Sequence, residues 1–453
     1  MPKPIRRRAA AAVIVAALAA GSLPPVAKAE ETAPMPNSVQ RWNQTAGAVA
    51  LASCISPGND PLHESRMYAI NSLAAHDALN AIDRHFESYA LRGARARNAS
   101  AIAAVAAASR IALTSAVREL PEDLFAACRP AALQVIEQAY TVELARVPAS
   151  RAKARGVRLG TAAAQAVLQT RAGDGSDTTM MVQDHPQGTR PGEWRFTPDR
   201  PFAFAPGWAD VRPFALKGTA GFRVQPPYRL GSAAYARDLA EVRAFGSDGV
   251  SAPSARTPDQ TEVARFWIES SPLQWNRIAR GVAERGGYDP WTSARLFALL
   301  NMALADGYVA SFSVKYGNPF WRPVTAIREA ATDGNPATTA DPDWTPLDIT
   351  PPIPDHDSAH AVQGAAAATV MARIFGTDRK RFHTCSLTLP DGQQCDDATP
   401  TLRSYRGFWQ AARENANSRV WVGYHFRHAT EVGLDHGQTV ARLVMDTQLK
   451  PVR

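Results

Sequence analysis

Apolar residues recur every three to four positions across residues 64–84, 99–118, 128–145, 151–171, 257–283, 292–312, 360–375 and 403–447, the period of a buried helical face. Long stretches of strict alternation are absent, so the pattern predicts an all-α protein. From about 172 to 232 the character changes to Gly, Pro, Asp and aromatic residues, as in Arg190-Pro191-Gly192-Glu193-Trp194, which predicts a long connection between two helical halves. Thr257-Pro258-Asp259-Gln260 has the composition of a helix start, with Thr257 as N-cap, Pro258 in the first turn and Gln260 closing a capping box. A second Pro/Asp-rich connection is expected from about Asp333 to Pro354.

The first residues stand apart from this pattern. Lys3 and Arg6-Arg7-Arg8 precede an apolar run ending near Leu23, and Val26-Ala27-Lys28-Ala29 supplies small residues at a cleavage position, so residues 1–29 are expected to be a secretory signal. Paired arginines permit a twin-arginine route as well as the general one. No later uninterrupted apolar stretch of about 20 residues is evident, so the mature protein is expected to be soluble and secreted, periplasmic or extracellular. With the five basic residues of that segment gone, the formal charge falls from +8 to +3, which gives no reason to expect nucleic acid as a partner. The domain boundaries expected are a signal over 1–29, an N-terminal helical region over 30–232 and a C-terminal helical domain over 233–453. Four cysteines in an exported chain allow three pairings. The turn residues Pro390-Asp391-Gly392 would bring Cys385 to Cys395, leaving Cys54 with Cys128; buried free thiols are the alternative.

Three segments of the C-terminal third carry the chemistry. In the first, six residues separate Lys315 from Arg322, and Pro323 ends any continuous helix, so the two cations are expected to converge from a helix end and the loop after it. Asp357-Ser358-Ala359-His360 opens the second and precedes a run of small residues. A helix is expected to start there, with Asp357 or Ser358 as cap, Ser358 Oγ and the Ala359 N–H facing an anion, and His360 beside it as acid/base. The third places Arg419 and His425 six apart around Gly423, a spacing that aims both inward, whereas His428 and His436 are read as solvent-facing and His356 as a loop residue. Three cations, two of them forked, with two imidazoles describe a site for a tetrahedral oxyanion and chemistry at that anion.

These segments resemble the vanadium-dependent haloperoxidases and the type 2 phosphatidic acid phosphatases, one superfamily whose site is Lys, six residues, Arg-Pro; then Pro-Ser-Gly-His; then Ser-Arg, five residues, His. Lys315, Arg322-Pro323, Ser358, His360, Ser418-Arg419 and His425 match in order and spacing. The likeness extends to Phe320-Trp321-Arg322-Pro323-Val324-Thr325-Ala326-Ile327-Arg328, to Asp343-Trp344-Thr345-Pro346-Leu347 and to His76-Asp77-Ala78-Leu79-Asn80-Ala81-Ile82, as in exported bacterial haloperoxidases. Asp357 and Ala359 replace the family's Pro and Gly. Many members also carry Asp four residues after the last His, where this chain has Ala429, so another carboxylate or a backbone carbonyl must orient His425. Asp77 and Asp306, on apolar helical faces, are candidate supporting acids, and Asp306 is expected to brace Arg322 or Arg419.

The resemblance implies two helical bundles. It also implies a bound vanadate, with His425 as metal ligand and Lys315, Arg322, Ser358, Ala359, His360 and Arg419 around its oxygens. The partners would then be hydrogen peroxide and a halide, with His360 handling protons. Phosphate can occupy the same pocket. With a phosphate ester, His425 would attack phosphorus and His360 would protonate the leaving alcohol, giving an acid phosphatase. Phe320-Trp321 before Arg322 and the long N-terminal half favour the peroxidase, and a non-catalytic exported binding protein is the third reading.

Overall fold

The computed structural model describes residues 35–219, 222 and 224–452; the secretory segment expected over 1–29 lies outside the described residues. Among these the chain is helical, as its periodicity predicts. The N-terminal group comprises α1 (Ser38–Ala52), α2 (Pro61–Ile82), α3 (Ala101–Arg118), the short α4 (Glu122–Phe125), α5 (Arg129–Ala145) and α6 (Arg151–Arg171). After the long connection come α7 (Ala233–Gly246), α8 (Pro258–Phe266), α9 (Ser271–Arg285), α10 (Pro290–Gly317), α11 (Pro323–Arg328), α12 (Ala359–Ile374), α13 (Phe408–Trp421) and α14 (Arg427–Thr447). Two antiparallel ribbons, Met181–Val182 with Ala203–Phe204 and Phe382–Thr384 with Arg403–Tyr405, are the exceptions.

Local chemistry accounts for most boundaries. Thr257 and Gln260 form the expected capping box, and Asn37 with Gln40 forms another at α1. Asp60 and Asp289 each cap a helix that opens with proline. The helix expected over 257–283 is two, because Ser270 interrupts it as an N-cap and Pro272 belongs to the first turn of a new helix. The segment 403–447 likewise divides at Gly423, where φ is +89°. Neither α1 nor α7 stands out in the apolar pattern; tertiary packing supplies what periodicity did not show.

Two helical bundles share one long helix. α10 packs on α2 on one side and on α12 and α14 on the other, and it is apolar all round because it is surrounded. α3 and α10 are long and apolar enough to cross a membrane, but 61% and 89% of their apolar windows are buried inside the fold, as expected of core helices. α14 lies close against α12: a Cβ on Gly437 would fall 2.0 Å from the Val362 carbonyl oxygen. That approach holds the N-terminus of α12 against the start of α14, where Ser358 N–H donates to the Ala429 carbonyl at 3.0 Å. Both disulfides form as expected, Cys54–Cys128 and Cys385–Cys395.

Candidate active site

The three segments converge at the C-terminal end of α10 and the N-terminus of α12. Lys315 lies in the last turn of α10 and Arg322 is the N-cap residue of α11, the helix-end and loop arrangement that Pro323 required. Lys315 Nζ donates to the carbonyls of Pro354 (2.8 Å) and Asp355 (3.0 Å), which leaves one of its three donors free. Arg322 Nε donates to the Ile353 carbonyl (2.7 Å) and Nη1 to the Tyr424 carbonyl (2.8 Å). Arg419, in the last turn of α13, donates through Nη1 to the Trp267 carbonyl (2.7 Å) and lies over the Tyr424 ring. All three cations are buried. Burial, with Arg322 adding to it, pushes Lys315 down to about 7, and burial lowers Arg322 and Arg419 to about 10.

Such a concentration of positive charge in a low-dielectric site asks for an anion. Among the buried polar atoms without a partner in the described residues are three donors on these segments: Arg322 Nη2, Arg419 Nε and Ser358 Oγ. Ser358 holds the N-cap position of α12 but makes no side-chain cap bond, so its hydroxyl is free. The first N–H groups of α12, those of Ala359 and His360, lack intrahelical acceptors and add the positive end of the helix dipole. Donors without acceptors on every side are the complement of a tetrahedral oxyanion, so the residues present fit vanadate or phosphate.

His425 is reached through the turn at Gly423, where a Cβ would lie 2.6 Å from the Gly246 carbonyl oxygen. Its Nδ1 donates to Asp355 Oδ1 at 2.9 Å, and Arg322 Nη1 donates to its Nε2 at 3.0 Å. That pattern fits the neutral imidazole with an unprotonated Nε2. Burial and the cations Arg322, Lys315 and Arg419 hold its pKa well below the ordinary value, in agreement with that tautomer. Burial raises Asp355 to about 7 against the opposing pull of Arg322 and Lys315. Asp355 is thus the acid that replaces the one missing at Ala429. Sequence reasoning asked for such an acid without finding it, although it stands three residues before Ser358 in the same motif. His360 is half-buried, with Nδ1 3.4 Å from Ser271 Oγ, and burial with Arg419 keeps it well below its usual pKa.

Several expectations need correction. Asp357 does not cap α12; its carboxylate is fully buried and accepts from Ser311 Oγ and from His436 Nδ1, each at 2.6 Å. Nor does Asp306 touch either site arginine. It accepts the backbone N–H groups of Phe214, Ala215 and Leu216 at 2.6–3.0 Å and so anchors the long connection, as Asp77 anchors Tyr89, Ala90 and Leu91. His428 and His436 are buried rather than solvent-facing, His428 being stacked on Tyr228 with ring centroids 3.8 Å apart. His356 is in a loop, as read, but is also buried and meets the Gln225 carbonyl at 2.6 Å.

Comparison with known proteins agrees with this fold. Residues 295–453 match the family described as the VCPO second helical-bundle domain. The vanadium chloroperoxidase of Curvularia inaequalis is 26% identical over 279 residues, which span 48% of this chain and 45% of that protein. Among solved structures, a bacterial vanadium-dependent iodoperoxidase aligns with a TM-score of 0.70 at 24% identity, covering 94% of this chain and 100% of that one. A holo-type bacterial vanadium-dependent chloroperoxidase aligns with a TM-score of 0.69 at 16% identity, covering 92% of this chain and 98% of the other. Structural likeness at these identities establishes the fold.

Proposed function

Since residues 295–453 match the VCPO second helical-bundle domain and the chain shares its fold with a bacterial vanadium-dependent iodoperoxidase, we propose that the protein oxidises a halide with hydrogen peroxide at a bound vanadate. The observation that carries this reading is the set of unpartnered donors, Arg322 Nη2, Arg419 Nε and Ser358 Oγ, at the N-terminus of α12 beside a neutral His425. Vanadate held there supplies a Lewis acid that activates peroxide without changing oxidation state. Lys315, Arg322 and Arg419 neutralise the oxygens, and Ser358 Oγ and the Ala359 N–H donate to them. Asp355 accepts from His425 Nδ1–H, so Nε2, which accepts from Arg322 Nη1 here, would be the atom that holds the metal. His360 gives and takes protons at the reacting oxygen. Export of the mature chain is part of the same proposal, supported by two disulfides, which persist in oxidising compartments.

The test is a vanadate titration of phosphate-free protein, with bromide, chloride and iodide oxidation followed alongside p-nitrophenyl phosphate hydrolysis. Halide oxidation that rises with bound vanadate supports the reading. Phosphate release that vanadate inhibits, without halide oxidation, replaces it with a phosphatase.

Two further results are expected. Asp355→Ala should lower vanadate-supported turnover about 10–100-fold, the usual consequence of losing the partner that orients a metal-binding histidine. Steady-state kinetics with vanadate binding measured in parallel checks this, and unchanged turnover would refute the orienting role. Anion affinity should also fall as pH rises above 7, because Lys315 titrates near 7 in the anion-free site and binds anions only when protonated. Calorimetric titration with sulfate, whose charge is constant over this range, should show Kd rising about tenfold per pH unit above 7 for one linked proton. A flat profile from pH 6 to 9 would show that Lys315 does not change protonation on anion binding over this range.

A further inference from the structure

Behind His360, on the side where its Nδ1 meets Ser271, lies a group of buried polar side chains that the proposed chemistry leaves unused. Glu64 of α2 is fully buried; its Oε2 accepts a short hydrogen bond from Ser270 Oγ, and its Oε1 has no partner among the described residues. Ser270 is the N-cap residue of α9, and Ser271 follows it with its hydroxyl 3.4 Å from His360 Nδ1. The Tyr308 hydroxyl on α10 lies beside Ser271, and Tyr68 stands one turn after Glu64; both are buried hydroxyls without partners. Gln274, one turn into α9, is fully buried with neither amide atom bonded. Buried polar atoms left without protein partners in such numbers are normally met by internal water.

We infer that Glu64 is a proton-relay residue, connected through Ser270, Ser271, Tyr308 and enclosed water to His360 Nδ1, and that it resupplies His360 at that atom. This rests on the assignment of His360 as the proton donor above. His360 is half-buried, and its Nδ1 is the edge that meets Ser271 Oγ at 3.4 Å, so a proton can reach the ring there through the enclosed group. As His360 Nε2–H breaks and its proton forms a bond to the leaving oxygen, Nδ1 takes a proton from the neighbouring hydroxyl or water. With Glu64 protonated, the Ser270 hydroxyl turns to accept from the carboxyl and donates onward. Each O–H along the file breaks as the next forms, leaving Glu64 a carboxylate. When Nε2 takes a proton from incoming peroxide, the Nδ1 proton returns along the same file to Glu64. Glu64 has a proton to give near neutral pH: burial raises it to about 8, opposed by the bond from Ser270 and the nearby Ser56 hydroxyl and reinforced by Glu269 and Asp60. The other titratable groups facing it are Tyr68 on its own helix, Tyr308 on α10, and Arg277 on α9, which is paired with Glu269 at 2.6 Å.

Glu64→Gln keeps the shape and the acceptor for Ser270 but cannot pass a proton. In protein saturated with sulfate and with histidine labelled by nitrogen-15, the exchange of the His360 ring N–H with water should slow about tenfold or more in Glu64→Gln and again in Ser271→Ala, with the melting temperature unchanged. In the vanadate-loaded enzyme, kcat should fall by a similar factor with KM and vanadate affinity held, and the pH profile should lose its limb near 8. Wild-type exchange and pH profile in both variants would overturn the relay and leave Glu64 a structural residue. Should wild-type protein neither oxidise halide nor release phosphate, the proposed function fails, while the exchange measurement still decides the connection between Glu64 and His360.

Discussion

His425→Ala is expected to reduce vanadate-supported turnover by about 10²–10⁴-fold. Asp355 accepts the hydrogen bond from Nδ1–H, and the Nε2 lone pair accepts from Arg322 Nη1 at 3.0 Å, a bond that a metal on Nε2 would replace. Neither His428, stacked on Tyr228, nor His436, bonded to Asp357, is placed to substitute for His425. Lys315, Arg322, Arg419 and Ser358 stay in position, so vanadate should still bind, more weakly, and the deficit should appear in kcat. Kinetics and equilibrium dialysis on phosphate-free protein separate the two. Full turnover in the double variant His360→Ala/His425→Ala would remove both the peroxidase and the phosphatase readings.

The second large effect concerns stability. Asp357 joins three elements, bonding Ser311 on α10 and His436 on α14 from the loop that leads into α12. Burial alone would raise its pKa, but His436, Lys315 and Ser311 outweigh that and hold it near 2. A carboxyl lowered from its ordinary value of 3.8 contributes stability that is complete above pH 4 and lost as pH falls through 2, about 2 kcal/mol in all. Asp357→Ala removes this carboxylate and also strands a buried hydroxyl, an imidazole N–H and the Lys315 charge, so it should cost about 3–5 kcal/mol. Asp357→Asn, which keeps the volume and one acceptor, should cost less. Chemical denaturation at pH 7 checks the order, and a loss under about 1 kcal/mol in the Ala variant would show that the tether is dispensable.

Helix class, the capping box at Thr257, the turn that closes Cys385 onto Cys395 and the placing of Lys315 and Arg322 at a helix end and after it were all legible in the residues. Each depends on chain neighbours, since proline, glycine and capping residues act within a few positions of themselves. Other features depended on packing. Asp306 sits on an apolar face, as its spacing indicated, but its partners are backbone N–H groups about 90 residues earlier in the chain. His428 and His436 look solvent-bound among polar neighbours and are buried because α14 runs close beside α12 and the long connection covers it.

Sequence alone determined the class of fold, the turns that break its helices and the set of cations, serine and imidazoles, because periodicity, breakers and spacing within a motif are local properties. Tertiary structure decided which acid serves which base. The pairing of Asp355 with His425 and of Asp357 with His436 spans 70 and 79 residues. Such pairs exist only once α10, α12 and α14 have packed and excluded water, and that same burial lowers His425 and Lys315, raises Asp355 and leaves the donors of the site without protein acceptors.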